Sequence, residues 1–155
     1  MTDLGPVPWP PAPIRTERLV LRAAEARDRA AFVELYASQE VHTYLGGARP
    51  REELAREMPA VPGQWPGSFV VALDGVMTGQ VLLRRATEHS RPAAVGKVDL
   101  DWLGGVLPDE PVILATQTAN TRSLRLAAKL GFTEVERFRA WEAEQWLGLR
   151  PAASA

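Results

Sequence analysis

Residues 118–132 read Thr-Ala-Asn-Thr-Arg-Ser-Leu-Arg-Leu-Ala-Ala-Lys-Leu-Gly-Phe, and their order decides the fold. Just before them, 111–118 holds the compact apolar run Val112-Ile113-Leu114-Ala115, the pattern of a strand buried on both faces. Asn120 then offers an N-cap, and Leu124, Ala127 and Ala128 share one helix face. Lys129 stands in the last turn, and Gly131 occupies the position past the cap where a left-handed residue is wanted. A buried strand that passes directly into a capped helix signals an α/β architecture.

Downstream, 132–139 and 142–149 predict two closing strands. Upstream, 94–100 alternates loosely enough for a short strand, and 84–92 is a polar loop. Two further strand-like runs, 68–73 and 76–83, flank Asp74-Gly75, a dipeptide that supplies the positive φ angles of a type I′ turn. Farther back, 51–58 follows Pro50 and stops at Pro59 as a short helix. The apolar spacing over 26–38 predicts another helix, with Asp28 favourable near its start. Residues 14–22 read as one strand. Residues 1–13 carry five prolines and form an extended arm, with Trp9 placed to pin it. The order β, α, α, β, β, β, β, α, β, β implies a mixed, mostly antiparallel sheet with flanking helices, in one domain over 14–150.

Composition narrows the function. With 18 basic and 19 acidic side chains the net charge is -1, which argues against nucleic acid or anionic membrane as a partner through bulk charge. The absence of cysteine excludes disulfides, thiolate nucleophiles and thiolate metal sites, and fits a cytoplasmic protein. No export signal is visible, and no apolar run approaches the roughly 20 residues needed to cross a bilayer. Histidine occurs only at 42 and 89, without metal-ligand spacing, so no metal is expected.

Two blocks carry a family resemblance. Ile14-Arg15-Thr16-Glu17-Arg18-Leu19-Val20-Leu21-Arg22, with the later Glu40-Val41-His42-Thr43-Tyr44-Leu45-Gly46, resembles the opening of GNAT-type N-acetyltransferases, in the branch of ribosomal-protein N-terminal acetyltransferases. The block N-x-x-S-x(5)-K-L-G-F from Asn120 to Phe132 resembles that branch's fifth strand and fourth helix. The resemblance implies transfer of acetyl from acetyl-CoA to an amine. It also implies two parting central strands that take the pantetheine arm as an added strand, and a Q/R-x-x-G-x-G/A loop that holds the pyrophosphate at a helix N-terminus.

That loop is missing from the sequence. Its nearest string, Gln64-Trp65-Pro66-Gly67-Ser68-Phe69, ends in Phe where a small residue is required and precedes the hairpin. Residues 95–100 resemble the start of the fourth strand and 101–105 the end of the long helix after the loop. An internal deletion near Leu100-Asp101, removing the long central helix, is therefore expected.

The resemblance also implies site residues. Thr118, Asn120, Ser123 and Arg125 are candidates for holding acetyl-CoA, although Asn120 reads equally well as a plain N-cap. Ser123 is a candidate general acid toward the leaving thiolate, and Glu142 a candidate base for the amine, with Glu144 and Glu134 as alternatives. Arg122, Arg125 and Lys129 are the cations available in place of the phosphate loop. Trp141 and Trp146 are candidates for lining an acceptor pocket, with core or dimer packing the preferred reading. The implied partner is an amine-bearing acceptor, a protein N-terminus, an amino sugar or a small polyamine, and a homodimer fits the resemblance. The competing reading is a non-catalytic remnant or binding module that no longer holds the pyrophosphate.

Overall fold

A computed structural model describes residues 4–85 and 104–153. The chain forms two compact units, Asp3–Leu83 and Arg84–Ala155. In the first, β1 (Ile14–Arg15), β2 (Leu19–Arg22), β3 (Ser68–Leu73) and β4 (Val76–Leu82) make an antiparallel sheet in chain order. The single strand expected over 14–22 is instead two, with Ile14 against Leu21 and Arg15 against Val20. Thr16 causes the break. Its hydroxyl accepts from the N–H of Leu19 at 2.9 Å and of Arg18 at 3.3 Å, closing a side-chain turn inside a run of charged residues.

The β3–β4 hairpin turns at Asp74 and Gly75, with φ of 50° and 80°, as that dipeptide predicts. The helix expected over 26–38 begins as a 3-10 turn, Ala26–Asp28, and continues as α1 (Arg29–Ala37). Asp28 sets this junction. Its carboxylate accepts from Glu25 N–H at 2.8 Å and takes both prongs of the Arg22 guanidinium at 2.7 and 2.8 Å. Both side chains are buried. The Arg22 hydrogen bonds hold the Asp28 carboxyl below its ordinary range against the opposing pull of burial. Farther on, Arg29 donates to the carbonyls of Ala55 and Met58 and so satisfies the C-terminal end of α2 (Arg51–Glu57). The core joins Phe32, Val70 and Met77, with Tyr36 and Met58 packed against them. Trp9 meets Phe69 edge-on at 5.1 Å and Leu4 is buried, which ties the N-terminal arm to this unit.

The second unit contains β5 (Val112–Gln117), α3 (Thr121–Lys129), β6 (Thr133–Ala140) and β7 (Ala143–Arg150), with strand order β5-β7-β6. Every ladder among the described residues is antiparallel. Of the apolar run expected to be buried throughout, only Leu114 and Ala115 are buried; Val112 and Ile113 are half-exposed in a strand that pairs only with β7 among the described residues. Helix α3 ends as Gly131 predicts. That residue has φ +83°, its N–H reaches Ala128 O, and Phe132 N–H reaches Ala127 O, the paired bonds of a Schellman motif. Ala128 is exposed, because the inner face runs through Ser123, Leu124, Ala127 and Leu130. The strand expected over 94–100, the join near Leu100-Asp101 and the loss of the long helix lie outside the described residues. A helical turn over 104–106 follows them.

Candidate functional site

Chemistry-bearing side chains of the second unit gather where β5 passes into α3. Asn120 caps the helix, its Oδ1 accepting from Ser123 N–H at 3.3 Å. The cap spends one oxygen lone pair. Both amide N–H donors of Asn120 and the hydroxyl of Ser123 make no hydrogen bond among the described residues. Ser123 is half-buried on the inner face of α3, whereas Arg125 is exposed on the outer face with Arg122 and Lys129. At about 100° per residue, Arg122, Arg125 and Lys129 form one outward stripe, so Arg125 does not share a face with Ser123.

Strand β7 brings a carboxylate to the same place. Gln117 pairs with Gln145, and Thr118 N–H donates to Glu144 O at 3.0 Å. The Glu144 side chain lies beside Thr118, its Oε2 3.4 Å from Thr118 Oγ1. Glu142 stands farther out, at the exposed tip of the β6–β7 hairpin. The third carboxylate, Glu134, is engaged elsewhere: Arg137 donates to both its oxygens at 3.1 and 3.2 Å, and Trp146 Nε1–H donates at 2.8 Å. Arg137, helped by Trp146, holds the Glu134 carboxyl below its ordinary range, the wrong direction for a base.

The two tryptophans part company. Trp146 is buried, its indole seated over Gly148, where an added Cβ would meet the ring at 2.1 Å. Core packing is therefore the right reading for Trp146 and not for Trp141, which is 68% exposed. His42 donates Nδ1–H to Ser38 O at 3.1 Å beside Tyr36, an ordinary structural contact. His89 lies outside the described residues. Among the described residues there is no cluster of His, Asp and Glu able to hold a metal, and no helix long and apolar enough to cross a membrane.

No family model matches the chain. No curated protein matches it either. Among solved structures, an acetyltransferase of the GNAT family from Bacillus anthracis aligns with a TM-score of 0.72 and 18% identity, over 90% of this chain and 98% of that one. The fold is that of the GNAT acetyltransferases. Two more GNAT-fold enzymes align well. RimJ from Mycobacterium smegmatis, in complex with CoA-disulfide, has a TM-score of 0.62 and 16% identity over 94% of this chain and 92% of its own. An acetyl transferase from Salmonella typhimurium that modifies the N-terminal serine of ribosomal protein L7/L12 has a TM-score of 0.54 and 11% identity over 90% and 99%. At such identities the likeness carries the fold and leaves the chemistry to be argued from the site.

The sequence motif singled out Thr118, Asn120 and Ser123, which the structure places at the start of α3. The resemblance pointed to Glu142 ahead of Glu144. The register of β7 against β5 brings Glu144 to Thr118, and only strand pairing reveals it.

Proposed function

We propose that the chain is an N-acetyltransferase that moves an acetyl group from acetyl-CoA to a primary amine, on a protein N-terminus or a small molecule. It acts in the cytoplasm, with 14–150 as the catalytic domain and no covalent enzyme intermediate. The observation that carries this reading is the start of α3. There, Asn120 donors and a Ser123 hydroxyl that make no hydrogen bond among the described residues stand one strand away from the Glu144 carboxylate.

Acetyl-CoA supplies the thioester. Asn120 can donate to a carbonyl of its pantetheine arm without giving up its capping bond, and the Thr118 hydroxyl, which donates toward Glu144, can accept from an N–H of the arm. Ser123 can return a proton to the leaving thiolate. An amine attacks only when neutral, so a carboxylate must take its proton; Glu144 is placed for this beside Thr118, with Glu142 at the tip as the second carboxylate. Arg125, with Arg122 and Lys129, supplies cations for the pyrophosphate in place of the loop the sequence lacks.

The test is amine-dependent release of CoA thiol, with product mass, over a panel of an N-terminal peptide, an amino-sugar antibiotic and spermidine. We expect turnover with at least one, a loss of roughly 100-fold in kcat for Ser123→Ala, and a larger loss for Glu144→Gln than for Glu142→Gln. No thiol release with any acceptor would favour the non-catalytic reading.

A further inference from the structure

Among the described residues, three that are not glycine have positive φ: Asp74, Trp141 and Glu142. Two of these form the whole turn between β6 and β7, with φ of 49° and 62°. Neither is suited to that conformation, since a bulky side chain at positive φ is strained and Asn-Gly is what such a turn normally selects. The turn is nonetheless firmly held. Ala140 pairs with Ala143, and the buried Gln145 donates its side-chain N–H to Ala140 O at 3.2 Å. What this arrangement presents is the Trp141 indole, 68% exposed and unused by the core.

The tip stands at the site end of the sheet, because Thr118 N–H bonds to Glu144 O, two residues from Glu142. Its surroundings select the ligand. In the register Arg139 stands opposite Glu144, and Glu142 is a carboxylate without an ion pair among the described residues. The other exposed large apolar side chain of this hairpin, Val135, lies far back along β6, so no contiguous greasy patch forms at the tip for a membrane or an apolar protein face. An exposed indole attracts cations to its ring face, and an uncompensated carboxylate one residue along the chain adds to that attraction.

We propose that Trp141 and Glu142 form a platform for the cationic body of the acceptor, which is a multiply protonated, polyamine-like molecule. The platform rests on the acetyl-transfer reading and narrows it: the ammonium groups that do not react sit on the indole and the carboxylate, while the reacting amine reaches Thr118 and Glu144.

The full chain, labelled with nitrogen-15, is titrated with spermidine and separately with 1,8-octanediol, a neutral chain of comparable length. The Trp141 indole N–H resonance is assigned by its loss in Trp141→Phe. It should shift saturably with spermidine and stay in place with the diol. In turnover, Trp141→Leu should raise the spermidine KM about two- to fivefold, Trp141→Phe less, with the acetyl-CoA KM unchanged. An indole that ignores spermidine, that responds equally to the diol, or a Trp141→Leu variant with an unaltered spermidine KM overturns the platform. A spermidine-dependent shift without acetylation of any amine keeps the platform and removes the acetyl-transfer reading; acetylation without the shift does the reverse.

Discussion

The two tight hairpins of this chain solve one geometric problem with opposite materials. The β3–β4 turn uses Asp74-Gly75 and the β6–β7 turn uses Trp141-Glu142, yet both hold two consecutive positive φ angles. Asp and Gly enter that region readily, whereas Trp and Glu do so against strain of order 1–2 kcal/mol per residue. The first turn is shaped by its own residues and helps its strands find each other. The second is imposed by what surrounds it, namely the Ala140–Ala143 pair and the Gln145 amide. Strain that a fold maintains at an exposed aromatic side chain is better explained by what the side chain does than by stability.

If the first hairpin belongs to the part of the chain built for stability, its frame should be the more damaging place to cut. Arg22 on β2 pairs in register with Val70 of β3 and forks onto buried Asp28. Asp28→Ala would leave that buried guanidinium with only the Ala23 carbonyl at 3.0 Å and Glu25 at 3.8 Å, so a loss of roughly 3 kcal/mol in denaturant unfolding is expected. The same pair sets the acid limit. Since the folded pKa of Asp28 is lowered, its contribution is full above the unfolded value of about 3.9 and is lost as pH falls through the folded value. Asp28→Asn should therefore flatten the stability curve below about pH 4, and an unchanged acid limb would show that the pair is not what fails there.

Smaller changes act on the turns themselves. Gly75→Val at φ +80° should destabilise by about 1–2 kcal/mol. Replacing Trp141-Glu142 with Asn-Gly should move the other way, stabilising by about 1 kcal/mol while erasing the spermidine response. Destabilisation by this second swap would mean that Trp141 and Glu142 hold the hairpin together and that their strain is only apparent.

Legibility in the sequence followed how local each cause is. The Asp74-Gly75 turn, the Asn120 cap and the Gly131 stop were readable because each is set by residues within a few positions. The break at Thr16 was hidden, since a threonine among charged residues reads equally well as strand. Of the site, the Asn120–Ser123 corner was visible as a motif, and Thr118 stood beside it. The nearness of Glu144 to Thr118 depends on the pairing of β7 with β5, which the order of residues does not reveal. Nothing in Trp-Glu advertises a turn, so the tip conformation emerges only once both flanking strands are in place.

Calorimetric titration of the full chain with acetyl-CoA bears most directly on whether the start of α3 receives a thioester. Saturable 1:1 binding with a dissociation constant of about 1 mM or tighter, weakened by Asn120→Asp, which keeps the cap oxygen and removes the amide donors, is the predicted result. Absence of heat at millimolar acetyl-CoA, or binding indifferent to Asn120, would contradict it.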